Sequence, residues 1–151
     1  MESTKKKLAI VTGAARGIGL ATAKLFCQND YKVAIVDRDK KELSNLSLAN
    51  NSMKSFCYDI SDFNNVDMMY QEILEWHDRV DVLVNNAGVA DFGSIEMTDF
   101  KRWNEVMKTN LDGAFMCSQK AIPYLKKTNG NIINIASISG LRASTLRVAY
   151  G

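Results

Sequence analysis

The chain has 151 residues, 46% of them hydrophobic, which suits the buried core of one ordinary domain and excludes a disordered or fibrous segment. Lys plus Arg at 19 against Asp plus Glu at 17 leaves a net charge of +2, which argues against nucleic acid or an anionic membrane as the partner. Lys5-Lys6-Lys7 precedes only Leu8 to Val11, too short for a signal peptide, and no run reaches the roughly 20 apolar residues of a membrane span; a soluble, cytoplasmic protein is expected.

Short β-branched runs alternate with segments of helical period, the pattern of βαβ units in a parallel sheet. The first strand is read at Leu8–Val11. A helix follows, with Ile18, Ala21 and Leu25 at helical spacing as its sheet-facing side. The second strand spans Lys32–Val36, and Leu43 and Leu46 mark the next helix. The third and fourth strands are read at Lys54–Tyr58 and Val80–Val84, the latter nearly continuous in apolar residues, as for strands covered on both faces. The stripe Phe100, Trp103, Met107, Leu111, Ala114, Ala121 and Leu125 predicts one long helix, started by Thr98 or Asp99 and interrupted late by Pro123. The fifth strand is Asn131–Ile135. One α/β unit over residues 1–151 accounts for the pattern, with no internal repeat or linker. Cys27, Cys57 and Cys117 are an odd number in apolar segments and read as reduced core thiols. His77 lacks partners at metal-ligand spacing and reads as a surface residue; no metal site is expected. Trp76 and Trp103 fit apolar stripes.

Thr12-Gly13-Ala14-Ala15-Arg16-Gly17-Ile18-Gly19 falls between the first strand and the first helix, where a pyrophosphate meets free backbone N–H groups and the positive helix end. A tight turn without a ligand is the alternative. The spacing Gly-x-x-x-Gly-x-Gly is neither the commoner dinucleotide fingerprint nor a nucleotide triphosphatase loop. Asp37 ends the second strand 20 residues after Gly17, placed to accept hydrogen bonds from an adenosine ribose and to repel a 2′-phosphate, or else to cap the next helix. NAD is favoured over NADP, with Arg16 and Arg38 near enough to soften the preference. Asn85-Asn86-Ala87-Gly88 follows the fourth strand, where its amides can tie neighbouring strand ends together.

With that loop and the glycine pattern in one register, the sequence resembles the short-chain dehydrogenase/reductases from about Leu8 to its last residue. The resemblance implies a Rossmann-like fold, a doubly wound parallel sheet of about five strands with flanking helices, truncated before the family's C-terminal strands. It implies that Thr12, Gly13, Arg16, Gly17, Ile18, Gly19, Asp37, Asn86, Ala87 and Gly88 bind the cofactor. Asp59, with Ile60 beside it, matches the family's acidic residue at the adenine, although a cap near Ser61 and Asp62 is the alternative. Asn110 matches the active-site asparagine that helps hold a water in a proton relay, and Ser137 the active-site serine, with Ser139 ranked second.

Tyr150 lies 13 residues after Ser137 and resembles the start of the Tyr-x-x-x-Lys signature. In such enzymes hydride passes between nicotinamide and a carbinol or carbonyl carbon while tyrosine exchanges the proton on oxygen and serine hydrogen-bonds it. A free phenol titrates near 10, so the family's lysine supplies the cation that makes it a base; here it would fall at position 154. The chain therefore reads as an N-terminal fragment, inactive alone, whose fifth strand is left as an uncovered edge. The implied function is NAD(P)-linked interconversion of a secondary alcohol and a ketone, with a 3-oxoacyl thioester, a sugar or a hydroxy acid among the open substrates. The full-length parent is expected as a homotetramer or homodimer, using Trp103, Met107 and Phe115. A non-catalytic dinucleotide-binding or interaction module is the competing reading. Arg142 and Arg147 read as acidic-substrate contacts or as solvated loop arginines.

Overall fold

A computed structural model describes residues 5–48, 51–142 and 145–151. Its elements are β1 (Leu8–Thr12), α1 (Gly17–Gln28), β2 (Lys32–Asp37), α2 (Lys40–Ser44), β3 (Met53–Cys57), α3 (Phe63–Trp76), β4 (Val82–Asn85), α4 (Phe100–Met107), α5 (Gly113–Thr128) and β5 (Asn131–Asn134). A π turn over Lys108–Asp112 joins α4 to α5, and 3₁₀ turns lie at Ile95–Met97 and Ile138–Gly140. All strand pairs are parallel and the order is β3-β2-β1-β4-β5, so the chain reverses its direction of travel across the sheet between β1 and β4. Open α/β sheets leave a crevice at that point, outside the carboxyl ends of the strands.

Two helical layers explain the near-continuous apolar strands, because successive side chains point to opposite faces. Leu8 and Ile10, with Ala34, Val36 and Phe56, pack against Val66, Met69, Tyr70 and Ile73 of α3 and Cys117, Ala121 and Leu125 of α5. Ala9, Val11, Val33, Ile35 and Val84 pack on the other face against Ala23 of α1 and Leu43 of α2. Each large aliphatic side chain fully buried this way contributes about 1.5–3 kcal/mol. The Tyr70 hydroxyl donates to the Cys117 carbonyl at 2.8 Å and links α3 to α5. No helix among the described residues is long and apolar enough to cross a membrane.

Five expectations are corrected. Ile18 and Leu25 are 66% and 61% exposed, and Gly19 and Ala23 form the inner side of α1. The reason is a close approach: a Cβ on Gly19 would lie 2.3 Å from the Gly13 carbonyl oxygen, so this glycine fixes the helix phase one residue away from the apolar stripe. The long helix is divided at the π turn, and from there the inner positions run Thr109, Gly113, Cys117, Ala121 and Leu125, leaving Phe100 and Leu111 exposed. Pro123 stands at an exposed position inside α5 and does not end it; Asp99 caps α4 by accepting from the Arg102 N–H at 2.8 Å. Cys57 is exposed at the end of β3 and Cys27 half-buried; only Cys117 is a core thiol, pushed up to about 12 by burial. His77 is buried at the end of α3, where its Nε2 sits 2.8 Å from the Lys6 carbonyl, and burial lowers its pKa. The edge strand β5 is as expected, with Ile133 and Ile135 more than two-fifths exposed.

Candidate active site

The ends of β1 and β4 are laced across the crevice. Thr12 Oγ1, fully buried, donates to the Val84 carbonyl at 3.3 Å and accepts from the N–H groups of Asn86 and Ala87, each at 3.1 Å. Asn86 Nδ2 donates to the Thr12 and Gly13 carbonyls at 2.9 and 3.0 Å, which is the strand-tying role its amide suggested. Gly13 has φ +61° and its added Cβ would meet Ala87 Cα at 2.6 Å, so only glycine lets the two loops touch. Gly17 has φ +57° with nothing within 4 Å of an added Cβ, leaving open space before the first turn of α1.

That first turn has no side-chain cap among the described residues. The contrast with its neighbours is chemical: Asp39, Asp62 and Asp99 satisfy the first N–H groups of α2, α3 and α4. A helix start without a cap leaves polarised donors for an anion. Gly13, Arg16, Asp37, Asp59, Ile60 and Asn86 are among the residues around a cavity of about 300 Å³ beside it.

Asp37 does not cap α2. Its Oδ2 accepts from the Ala15 N–H at 3.1 Å and its Oδ1 from the Asp39 N–H at 3.0 Å, which fixes the carboxylate at the cavity wall. Burial would raise the Asp59 carboxyl, but hydrogen bonds from the Ser61 N–H and hydroxyl, helped by Arg38, hold it below its ordinary value. The turn from Asp59 to Ser61 is thus built by this side chain at 3.0 and 2.8 Å, whereas Asp62 caps α3. Arg38 Nη1 lies 3.4 Å from Asp59 Oδ2. Ile60 is buried behind the cavity, where Gly113 makes room for it; a Cβ there would come 2.8 Å from Ile60 Cδ1.

A second cleft of about 890 Å³ continues from the first through Asn86, Ala87, Gly88 and Val89. Ile18, Asn110, Ser137 and Tyr150 line it together. Asn110 sits in the π turn, and its amide takes both backbone groups of Val89: the Val89 N–H donates to Oδ1 at 2.8 Å and Nδ2 donates to the Val89 carbonyl at 2.9 Å. This explains a helix-disfavoured asparagine at that position, since the π turn widens the helix where the amide must reach the loop. Ser137 leads the 3₁₀ turn after β5, its Oγ accepting from the Ser139 N–H at 3.2 Å. Ser139 is buried and outside the cleft lining. Arg147 is half-buried, its guanidinium over the rings of Phe92 and Tyr150, whereas Arg142 is exposed.

Asn85 ties strand ends as its amide suggested, in the wall of the second cleft, and sequence reasoning missed only its partners. Asn85 Nδ2 donates to Asn134 Oδ1 at 2.8 Å and to Ser118 Oγ at 3.0 Å, joining β4, β5 and α5 at the strand ends. The signal was available, because asparagine closes both strands just where their apolar pattern stops.

The profile of the short chain dehydrogenase family matches residues 7–151. Meso-2,3-butanediol dehydrogenase of Serratia marcescens is 37% identical over 137 residues, which cover 89% of this chain and 55% of that protein. The 3-oxoacyl-[acyl-carrier-protein] reductase of Thermotoga maritima is 31% identical over 149 residues, covering 95% of this chain and 61% of the relative. The chain thus spans well under two thirds of the length of these curated relatives. The crystal structure of a 3-ketoacyl-(acyl-carrier-protein) reductase from Brucella melitensis, complexed with NADH, superposes with a TM-score of 0.91 at 29% identity, over 97% of this chain and 63% of that one. By profile, relatives and fold, this chain is a member of the short chain dehydrogenase family.

Proposed function

We propose that residues 1–151 form the dinucleotide-binding unit, with much of the active centre, of a cytoplasmic NAD(P)-dependent oxidoreductase that interconverts a secondary alcohol and a ketone. The observation that carries this is the pair of continuous cavities: one beside the uncapped start of α1, the other lined by Asn110, Ser137 and Tyr150.

The residues present fit a nicotinamide dinucleotide. The open space at Gly17 and the unsatisfied first turn of α1 suit its pyrophosphate, with Thr12, Gly13, Arg16, Ile18 and Gly19 shaping the approach. Asp37 suits the adenosine ribose, Asp59 and Ile60 the adenine, and Asn86, Ala87 and Gly88 the passage between cavities. Asp39 and Glu42 line the same cavity as Asp37, and Arg38 is engaged by Asp59, which together favour NAD over NADP. When bound, the dinucleotide supplies the hydride acceptor or donor.

The chain's own part is proton and charge handling. Ser137 Oγ hydrogen-bonds the substrate oxygen and Tyr150 Oη exchanges its proton, while the cation that activates the phenol is the lysine of the family's signature. Asn110 holds Val89 and with it the wall shared by both cavities, the position at which the family resemblance puts the asparagine of the proton relay. The substrate class is a small hydroxyketone or diol, or a 3-oxoacyl thioester, as in the names of the two curated relatives. Exposed Phe100 and Trp103 on α4, Leu111 in the π turn and Phe115 on α5 suit a homodimer or homotetramer contact.

The test is a titration with NADH and NADPH, read by energy transfer from Trp76 and Trp103 and by thermal protection, followed by turnover of 2,3-butanediol and acetoin by the full-length gene product. Saturable NADH binding, tighter than NADPH, with turnover is expected. Binding without turnover of any alcohol or ketone would support a dinucleotide-binding module instead, and no binding would end both readings.

A further inference from the structure

We propose that Arg147 is a positioning residue for Tyr150, a role that rests on the reading of Tyr150 as the proton-exchanging group. Its guanidinium carbon lies 5.0 Å from the ring centroid of Phe92 and 5.7 Å from that of Tyr150, both within the roughly 6 Å range of cation–π attraction. Nη1 donates to Ser139 Oγ at 3.4 Å. One side chain therefore touches the loop after β4, the turn after β5 and the phenol itself.

The backbone of Arg147 serves the same end. Its carbonyl accepts from the N–H groups of Tyr150 at 3.2 Å and Gly151 at 2.9 Å, so it opens the turn that carries the tyrosine. An isolated parallel bridge pairs Arg147 with Gly93, and the Gly93 N–H donates to the Leu146 carbonyl at 2.8 Å. Leu146 has φ +58°, a left-handed conformation that leucine rarely adopts and that persists only where neighbours hold it. Arg102 braces the loop that carries Phe92, donating from Nη2 to Asp91 Oδ1 at 2.5 Å and to the Phe92 carbonyl at 3.0 Å.

A tyrosine exchanges a proton only while its Oη stays within hydrogen-bonding reach of the substrate oxygen, and its ring turns freely about two bonds unless its faces are covered. A planar guanidinium can lie between two rings and still donate in its own plane; an ammonium gives a point charge without the stack. Arg147 is absent from the residues lining the cleft, whereas Tyr150 is among them, which favours a supporting role over capture of a substrate carboxylate.

The test compares Arg147→Ala, Arg147→Lys and Phe92→Ala in the full-length gene product. The environment of Tyr150 is read by NMR of ¹³C-labelled tyrosine rings, assigned with Tyr150→Phe, beside steady-state kinetics and NADH affinity. Expected are shifted Tyr150 resonances and a kcat about tenfold lower in Arg147→Ala and Phe92→Ala, with Kd for NADH and Tm unchanged and partial recovery in Arg147→Lys. The proposal is overturned if the Tyr150 resonances do not move, if Tm and NADH affinity fall in step with kcat, or if only KM rises. A wild-type protein that turns over no alcohol or ketone defeats the functional reading, while the ring spectra still decide whether Arg147 orders Tyr150.

Discussion

The two cavities are built by different means. Around the start of α1, β1 is buried along its whole length and the loops are fixed by backbone contacts so close that Gly13 and Gly19 tolerate no Cβ. Around Ser137 and Tyr150, the supporting strand β5 is the outermost strand among the described residues, where it pairs with β4 and is mostly exposed. The first region takes its shape from dense packing, which is stiff because it has no free volume. The second takes its shape from a few side-chain contacts, namely Asn85 to Asn134, Asn110 to Val89 and Arg147 to the rings of Phe92 and Tyr150. Binding can therefore survive changes that stop turnover, and the order of sensitivity can be measured.

The largest expected difference is in the core. Ile10→Ala, in the centre of β1 and fully buried, should cost about 2–5 kcal/mol, whereas Ile133→Ala on β5 should stay near 0.5 kcal/mol. Urea denaturation of both variants measures this, and equal losses would break the comparison. Next comes Gly19→Ala, whose new Cβ is aimed at the Gly13 carbonyl oxygen and Asn86 Nδ2; a loss of about 1–3 kcal/mol and of NADH binding is expected. Gly140→Ala, with nothing within 4 Å, is the matched control near the catalytic cleft and should leave stability unchanged.

Asp37 sharpens the comparison on the binding side. Removing its carboxylate in Asp37→Ala takes away an ionic acceptor at the cavity wall and leaves the Ala15 N–H without its partner. NADH affinity should fall about tenfold or more while NADPH affinity changes less, because the repulsion of a 2′-phosphate is lost at the same time. Isothermal titration with both dinucleotides gives the ratio; an unchanged ratio would remove Asp37 as its cause.

The same contrast decides what could be read from the chain alone. Strand positions and the parallel sheet were legible because β-branched runs with no polar alternation have few other uses, and the observed strands depart from the expected ones by only a residue or two at most ends. The phase of α1 was not, because Gly19 and Ala23 face the sheet where steric approach outweighs hydrophobicity, so the stripe of Ile18 and Leu25 pointed the wrong way. The long helix misled for a related reason: a π turn adds a residue per turn, and no apolar period announces it. The site residues Asn86, Asp37 and Asn110 were found by position and resemblance, but their partners, Thr12, Ala15 and Val89, involve contacts over 21 to 74 residues of sequence, which local patterns do not encode.

The smallest expected effect tests how stiff the packed region is far from either cavity. His77 closes α3 and reaches the Lys6 carbonyl just before β1, with Lys5 and Lys32 as cationic neighbours and Asp81 as the opposing carboxylate. Burial favours the neutral ring, so its folded pKa lies below the ordinary 6.5, with the two lysines acting in the same direction. The unfolded chain consequently binds a proton at higher pH than the native one does. The stability held by neutral His77 is complete above about 6.5 and is lost as pH falls from there through the lower folded value. Chemical denaturation at steps from pH 7.5 to 5 should show this decline in the native chain and a flatter profile in His77→Gln, which keeps an amide donor for Lys6 but does not titrate. Identical slopes would mean that the end of α3 opens easily enough for the imidazole to meet water, and that the rigidity of this half is confined to the crevice where Gly13, Gly19 and Asn86 meet.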